Sequence, residues 1–204
     1  MILYYAPNTI SIAVAIALDE AGLDHTLARL DFANGERRQA DYLAVNPKGR
    51  VPALETQQGV LTETGAILDY IAARAPGAGL VPDDPFAAAR MRAVMYYLAS
   101  TMHVNHAHMR RGHRWADNES SWRDMAAKTP RTMTESCRFI EDHALIAPFV
   151  MGTTLTLADP YLFVVSTWLE GDGVEMADFP AIAAFRAAMR ARPAVERAEA
   201  RGMI

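Results

Sequence analysis

Two runs in the first third of this 204-residue chain carry groups suited to holding a small peptide. In Asn46-Pro47-Lys48-Gly49-Arg50-Val51-Pro52-Ala53-Leu54, Pro52 falls at the start of a strand, where a cis peptide bond is a deliberate feature when it occurs. Such a bond turns the Val51 N–H and C=O outward, where they can pair with an extended peptide as an added strand does. The other reading is that Val51-Pro52 simply opens an edge strand. In Leu61-Thr62-Glu63-Thr64-Gly65-Ala66-Ile67 a hydroxyl and a carboxylate precede an apolar helix. Free amides at that helix start suit a carboxylate and the Glu63 side chain can accept from an ammonium, so Glu63 and Thr64 can hold an amino-acid terminus at both ends. An ordinary helix cap is the alternative.

A third run, Met102 to His113, is rich in histidine. At 100° per residue His103, His106, Arg110 and His113 fall on one arc of a helix while His108 points elsewhere. An arc that includes an arginine and has no thiolate nearby suits an anion or solvent better than zinc, so no metal is expected. Cys137 lies within a helical pattern and reads as a small buried hydrophobe. Being single, it excludes an intrachain disulfide and fits a reducing compartment, the cytoplasm.

The elements that must position these groups follow from apolar patterning. Ile2 to Tyr5 reads as a strand; a helix follows, capped by Thr9 or Ser11, with Ile12, Val14, Ile16 and Leu18 as its apolar face and Gly22 at its stop. His25 to Phe32 alternates as a second strand, and Glu36 to Val45 forms a short polar helix ending before Pro47. Val51 to Glu55 and Val60 to Leu61 flank a turn, giving an antiparallel hairpin, and Thr64 to Arg74 is a helix. This order predicts a small mixed sheet covered by helices, a thioredoxin-like domain over residues 1–76. Prolines at 76, 82 and 85, glycines at 77 and 79 and adjacent aspartates at 83 and 84 mark a linker over 77–84. Residues 85–204 carry only helical spacing, including the stripe Met91, Met95, Leu98, Met102 and Met109, and predict an all-α domain with Tyr161 to Leu169 at its centre. Thr156 to Asp159 forms a capping box there, with Pro160 removing an N–H from the first turn.

Composition closes off other classes. With 51% hydrophobic residues the chain can bury a substantial core, and a net charge of −4 offers no basic face for nucleic acid. Its apolar stretches are shorter than the roughly 20 residues that span a bilayer. The N-terminus lacks a basic region, and Ile10 to Leu18 runs into Asp19 and Glu20, so no secretory signal is expected.

Asn46 to Leu54, Thr62 to Ile67 and Met151-Gly152 through Thr156 to Asp159 together resemble bacterial cytosolic glutathione S-transferases. The resemblance implies a thioredoxin-like domain binding glutathione, an all-helical domain shaping the pocket for a small electrophile, and a homodimer. By it, Val51 pairs with the cysteinyl backbone of glutathione beside cis-Pro52, and Glu63 and Thr64 hold the γ-glutamyl end. Tyr4 to Ser11 is similar to the beta class, whose catalytic cysteine is replaced here by Ile10. Isoleucine can neither form a mixed disulfide nor donate a hydrogen bond, so cysteine-dependent reductase chemistry does not carry over. Transferase chemistry needs only that the glutathione thiol be held as thiolate. Ser11 is the first candidate donor, with Thr9 and Tyr5 as alternatives. The resemblance also places His103, and with it His106 and Arg110, at the substrate cleft. The resulting expectation is conjugation of glutathione to small, partly apolar electrophiles. A glutathione-binding carrier without catalysis and a glutathione-dependent isomerase are the other readings.

Overall fold

The computed structural model describes residues 1–204. Its first compact unit comprises Met1–Pro82 together with Met189–Ile204, and its second comprises Asp83–Ala188.

In the first unit, strand β1 (Ile2–Tyr5), helix α1 (Ser11–Glu20), strand β2 (Thr26–Arg29), helix α2 (Ala40–Val45), strands β3 (Ala53–Thr56) and β4 (Gly59–Thr62) and helix α3 (Thr64–Arg74) follow in order. The sheet runs β2-β1-β3-β4; β1 pairs parallel with β2 and antiparallel with β3, and β3 pairs antiparallel with β4. This is the thioredoxin-like arrangement expected, with three local differences. The second strand is only Thr26–Arg29. The polar helix splits at Gln39, whose extended backbone separates a 3₁₀ turn at Glu36–Arg38 from α2. Finally, α1 is not amphipathic: every residue from Ser11 to Leu18 is buried, so the helix lies inside the unit with apolar contacts on all sides.

The second unit contains α4 (Pro85–Tyr97), α5 (His103–Arg111), α6 (Glu119–Phe139) and α7 (Ala158–Ser166), and α8 (Pro180–Arg190) begins within it. Asp84 starts α4 by accepting the Ala87 amide at 2.7 Å. A π-type turn, Leu98–Met102, joins α4 to α5 and sets the direction of the histidines that follow. All nine residues of α7 are buried, making it the centre of this unit as its uniform apolarity predicts. Asp159 accepts from the amides of Val150 and Thr156 at 2.7 and 2.6 Å and from the Thr156 hydroxyl at 2.9 Å. Pro160 is accommodated because it stands in the first turn, where its missing N–H has no helical acceptor to lose.

The C-terminal segment departs from the expected division at 85–204. Helix α9 (Pro193–Ala200) packs with the first unit, against α1. Arg192 donates to both carboxylate oxygens of Glu20 at 2.6 and 2.7 Å, while Arg197 and Arg201 both reach Asp19 at 3.3 Å. The Asp19-Glu20 pair that ends α1 is thus matched by three arginines about 170–180 residues away, a pairing that helical spacing alone cannot reveal.

Candidate glutathione site

The loop between α2 and β3 is organised by Asn46. Its carbonyl accepts the Gly49 amide at 2.9 Å, its Oδ1 accepts the Lys48 amide at 3.2 Å and its Nδ2 donates to the Arg50 carbonyl at 2.6 Å. Gly49 is required there: φ is +59°, and a Cβ would lie 2.9 Å from the Arg37 carbonyl oxygen. Val51 follows in a cis bond to Pro52, and neither its amide nor its carbonyl has a partner within the chain.

At the other end of the hairpin Glu63 has φ +72°, an uncommon conformation for a residue with a side chain. It leads into α3 so that the amides of Thr64, Gly65 and Ala66 precede the first helical hydrogen bond, from Ile67 to Glu63. The Glu63 carboxylate is 69% exposed and is met by the Lys48 ammonium at 2.5 Å, which also donates to the Thr62 hydroxyl at 2.7 Å. Lys48 is the site residue that reasoning on the sequence passed over. It lies in the quoted loop run, but its reach to Glu63 depends on the hairpin bringing residues 48 and 63 together.

The three hydroxyl candidates near α1 have different surroundings. Ser11 is 0% exposed; its Oγ accepts the Ala6 amide at 3.2 Å and lies 2.6 Å from the Thr9 hydroxyl. Thr9, half-buried, donates to the Ala6 carbonyl at 2.7 Å. Neither caps α1, because Ile10 occupies the N-cap position and both hydroxyls turn back onto Ala6. The amides of Ile10 and Ser11 precede the first helical bonds of α1. The Tyr5 side chain is buried on the strand face shared with Leu3, whereas Tyr4 on the opposite face donates to Glu55 at 2.9 Å. That carboxylate holds the Tyr4 phenol above its usual pKa.

In the helical unit the expected arc divides. His103 and His106 both lie against the Trp168 ring, at centroid distances of 5.1 and 4.3 Å. His106 Nδ1 bonds to the buried Asp172 carboxylate at 2.8 and 2.9 Å. Arg110 lines a separate open groove of about 370 Å³ with His108, His113 and Trp122. His113 leaves the arc because α5 ends at Arg111 and a 3₁₀ turn, Gly112–Arg114, carries the chain away. Cys137 is fully buried, and desolvation pushes its thiol up to about 12. No group of three or more histidine, cysteine or acidic side chains converges to hold a metal ion, and no helix is long and apolar enough to cross a membrane.

The first unit thus carries a backbone N–H and C=O at Val51, just before β3, with no partner in the chain, and two helices, α1 and α3, whose first amides have no helical acceptor. The sequence matches the glutathione S-transferase N-terminal domain family over residues 1–73. It is 31% identical over 199 residues to glutathione S-transferase GstA of Escherichia coli, with 96% of each chain covered. A solved glutathione transferase homologue from Sulfitobacter, with bound glutathione, matches at a TM-score of 0.98 and 56% identity, covering 100% of this chain and 98% of that one. The beta class glutathione S-transferase of Sphingomonas chungbukensis matches at a TM-score of 0.84 and 29% identity over all of both chains. This chain belongs to the glutathione S-transferase family.

Proposed function

We propose that this chain is a glutathione transferase that joins the glutathione thiolate to small, partly apolar electrophiles. The observation that carries the reading is the unpaired backbone of Val51, in the same unit as the open starts of α1 and α3, in a family whose members include a homologue solved with glutathione. Glutathione lies extended, its cysteinyl N–H and C=O pairing with Val51. The α3 amides from Thr64 onward take its γ-glutamyl carboxylate, and Glu63 takes the ammonium. Lys48 shares Glu63 with that ammonium and keeps the carboxylate aimed at the site.

The thiolate then rests at the first turn of α1. With Ile10 in place of a cysteine, donation falls to the amides of Ile10 and Ser11 and to a hydroxyl. Burial favours Thr9 over Ser11: Thr9 is half-buried, whereas Ser11, 2.6 Å from it, is 0% exposed. Thr9 donates to the thiolate by turning from the Ala6 carbonyl. Tyr5, buried in the strand face, serves packing. The thiolate attacks an electrophilic carbon and a C–S bond forms; the leaving group departs with its electron pair, or the pair passes into a conjugated system that solvent then protonates. His103, which lies against Trp168, offers the electrophile an aromatic surface in the helical unit. His106 is committed to Asp172, and Arg110 to its own groove.

We place the protein in the cytoplasm as a homodimer; Phe86 and Tyr96, 73% and 64% exposed on α4, are apolar surface that a second copy can cover. Calorimetric titration with glutathione, followed by turnover of an aryl halide and epoxide panel, tests the reading. Binding with turnover is expected; binding without turnover marks a carrier, and no binding refutes the site.

A further inference from the structure

We propose that Tyr42 and Asn46 are positioning residues for the glutathione backbone, acting through the peptide group that joins Arg50 to Val51. The inference rests on the glutathione reading above and adds how the pairing edge is aimed.

The Tyr42 hydroxyl and Asn46 Nδ2 both donate to the Arg50 carbonyl, each at 2.6 Å. Both residues are buried, at 4% and 1% exposure. A carbonyl oxygen has two acceptor sites, and here two side chains fill them. The Arg50–Val51 bond is trans, so its N–H lies in the same plane as its C=O and points the opposite way. Fixing the oxygen from two directions therefore fixes the line of the Val51 N–H, which leaves the peptide on the side away from Tyr42 and Asn46. Donors on a carbonyl also polarise the amide to which it belongs, strengthening the N–H as a donor in turn.

Closing the loop does not require both donors. Asn46 alone ties residues 46 to 50 through its carbonyl, its Oδ1 and its Nδ2. What the Tyr42 hydroxyl adds is a second fixed direction at the same oxygen. Tyr42 is itself held: its ring meets that of Tyr4 at 5.7 Å between centroids, and Tyr4 is tied to Glu55 on β3. Burial raises the Tyr42 pKa, so its hydroxyl keeps the proton it donates well past neutral pH.

The test is calorimetric titration of the parent chain and of Tyr42→Phe with two ligands. One is glutathione; the other is γ-glutamylcysteamine, which keeps the γ-glutamyl arm and thiol but lacks the cysteinyl carbonyl that takes the Val51 N–H. Tyr42→Phe is expected to raise the Kd for glutathione about fivefold and to leave that for γ-glutamylcysteamine unchanged. Retained γ-glutamylcysteamine binding also shows that the variant is folded. An unchanged glutathione Kd, or equal losses on both ligands, overturns the positioning role while leaving the site reading intact. If the parent chain fails to bind glutathione, the site reading falls and the positioning role falls with it.

Discussion

Replacing Thr9 by valine and Ser11 by alanine separates the two hydroxyls at the start of α1, because their contacts and burial differ. Valine keeps the shape of Thr9 and removes the oxygen assigned to the thiolate. A hydrogen bond to a charged group contributes about 1.5–3 kcal/mol, which at 1.36 kcal/mol per pKa unit corresponds to about one to two units. Thr9→Val is therefore expected to raise the pKa of bound glutathione by about one to two units. Raising it moves the rise of the pH–rate profile to higher pH, so activity is lost below the new pKa and recovered above it. Ser11→Ala instead strips the acceptor from the buried Ala6 amide, bonded to Ser11 at 3.2 Å. Leaving that amide unsatisfied costs about 1–3 kcal/mol of stability. Its effect on the thiol is indirect and is expected to stay below about half a pKa unit, near the low end of what one neutral contact contributes. Ultraviolet absorbance of the bound thiolate against pH gives the pKa, and urea unfolding gives the stability. A large pKa shift in Ser11→Ala with unchanged stability refutes the assignment and makes Ser11 the donor. No shift in either variant leaves the backbone amides alone in that role.

Other perturbations follow from contacts elsewhere. Asp159→Ala leaves the amides of Val150 and Thr156 without their buried acceptor and is expected to cost about 3–5 kcal/mol by urea unfolding; a loss under about 1 kcal/mol contradicts that accounting. Met203 is fully buried and its carbonyl accepts the amide of Asn8, next to Thr9, at 2.8 Å. Met203→Ala is expected to cost about 2–5 kcal/mol, measured the same way. Cys137, with its pKa raised to about 12, should resist iodoacetamide at neutral pH until the chain is unfolded, as mass spectrometry will report. Because its folded pKa lies above the unfolded one, its contribution is intact below the ordinary thiol pKa near 9 and is lost as pH rises toward about 12.

The parts of the fold that could be read from the sequence are those set by local pattern. Ile2–Tyr5, the hairpin around Gln57-Gln58 and the Thr64–Arg74 helix all lie where patterning places them, since period and turn residues act over a few positions. The site loop was legible for the same reason: proline, glycine and asparagine fall within one short run. Pairings across long separations were not. Lys48 with Glu63, His106 with Asp172 and Arg192 with Glu20 depend on tertiary contacts that no spacing rule encodes. The apparent amphipathicity of α1 misled in another way, because burial on every face leaves no stripe to detect. Both hydroxyls are visible in the sequence, but their burial is not: Ser11 is 0% exposed and Thr9 half-buried only because the chain turns back onto Ala6.

The most direct test of the central claim is a backbone amide NMR titration with glutathione. The largest shifts are expected at Val51, at Thr64 to Ala66 and at Ile10 and Ser11, the amides that take no acceptor in the free chain. Saturable shifts confined to other residues, with Val51 and Thr64 unmoved, contradict the account.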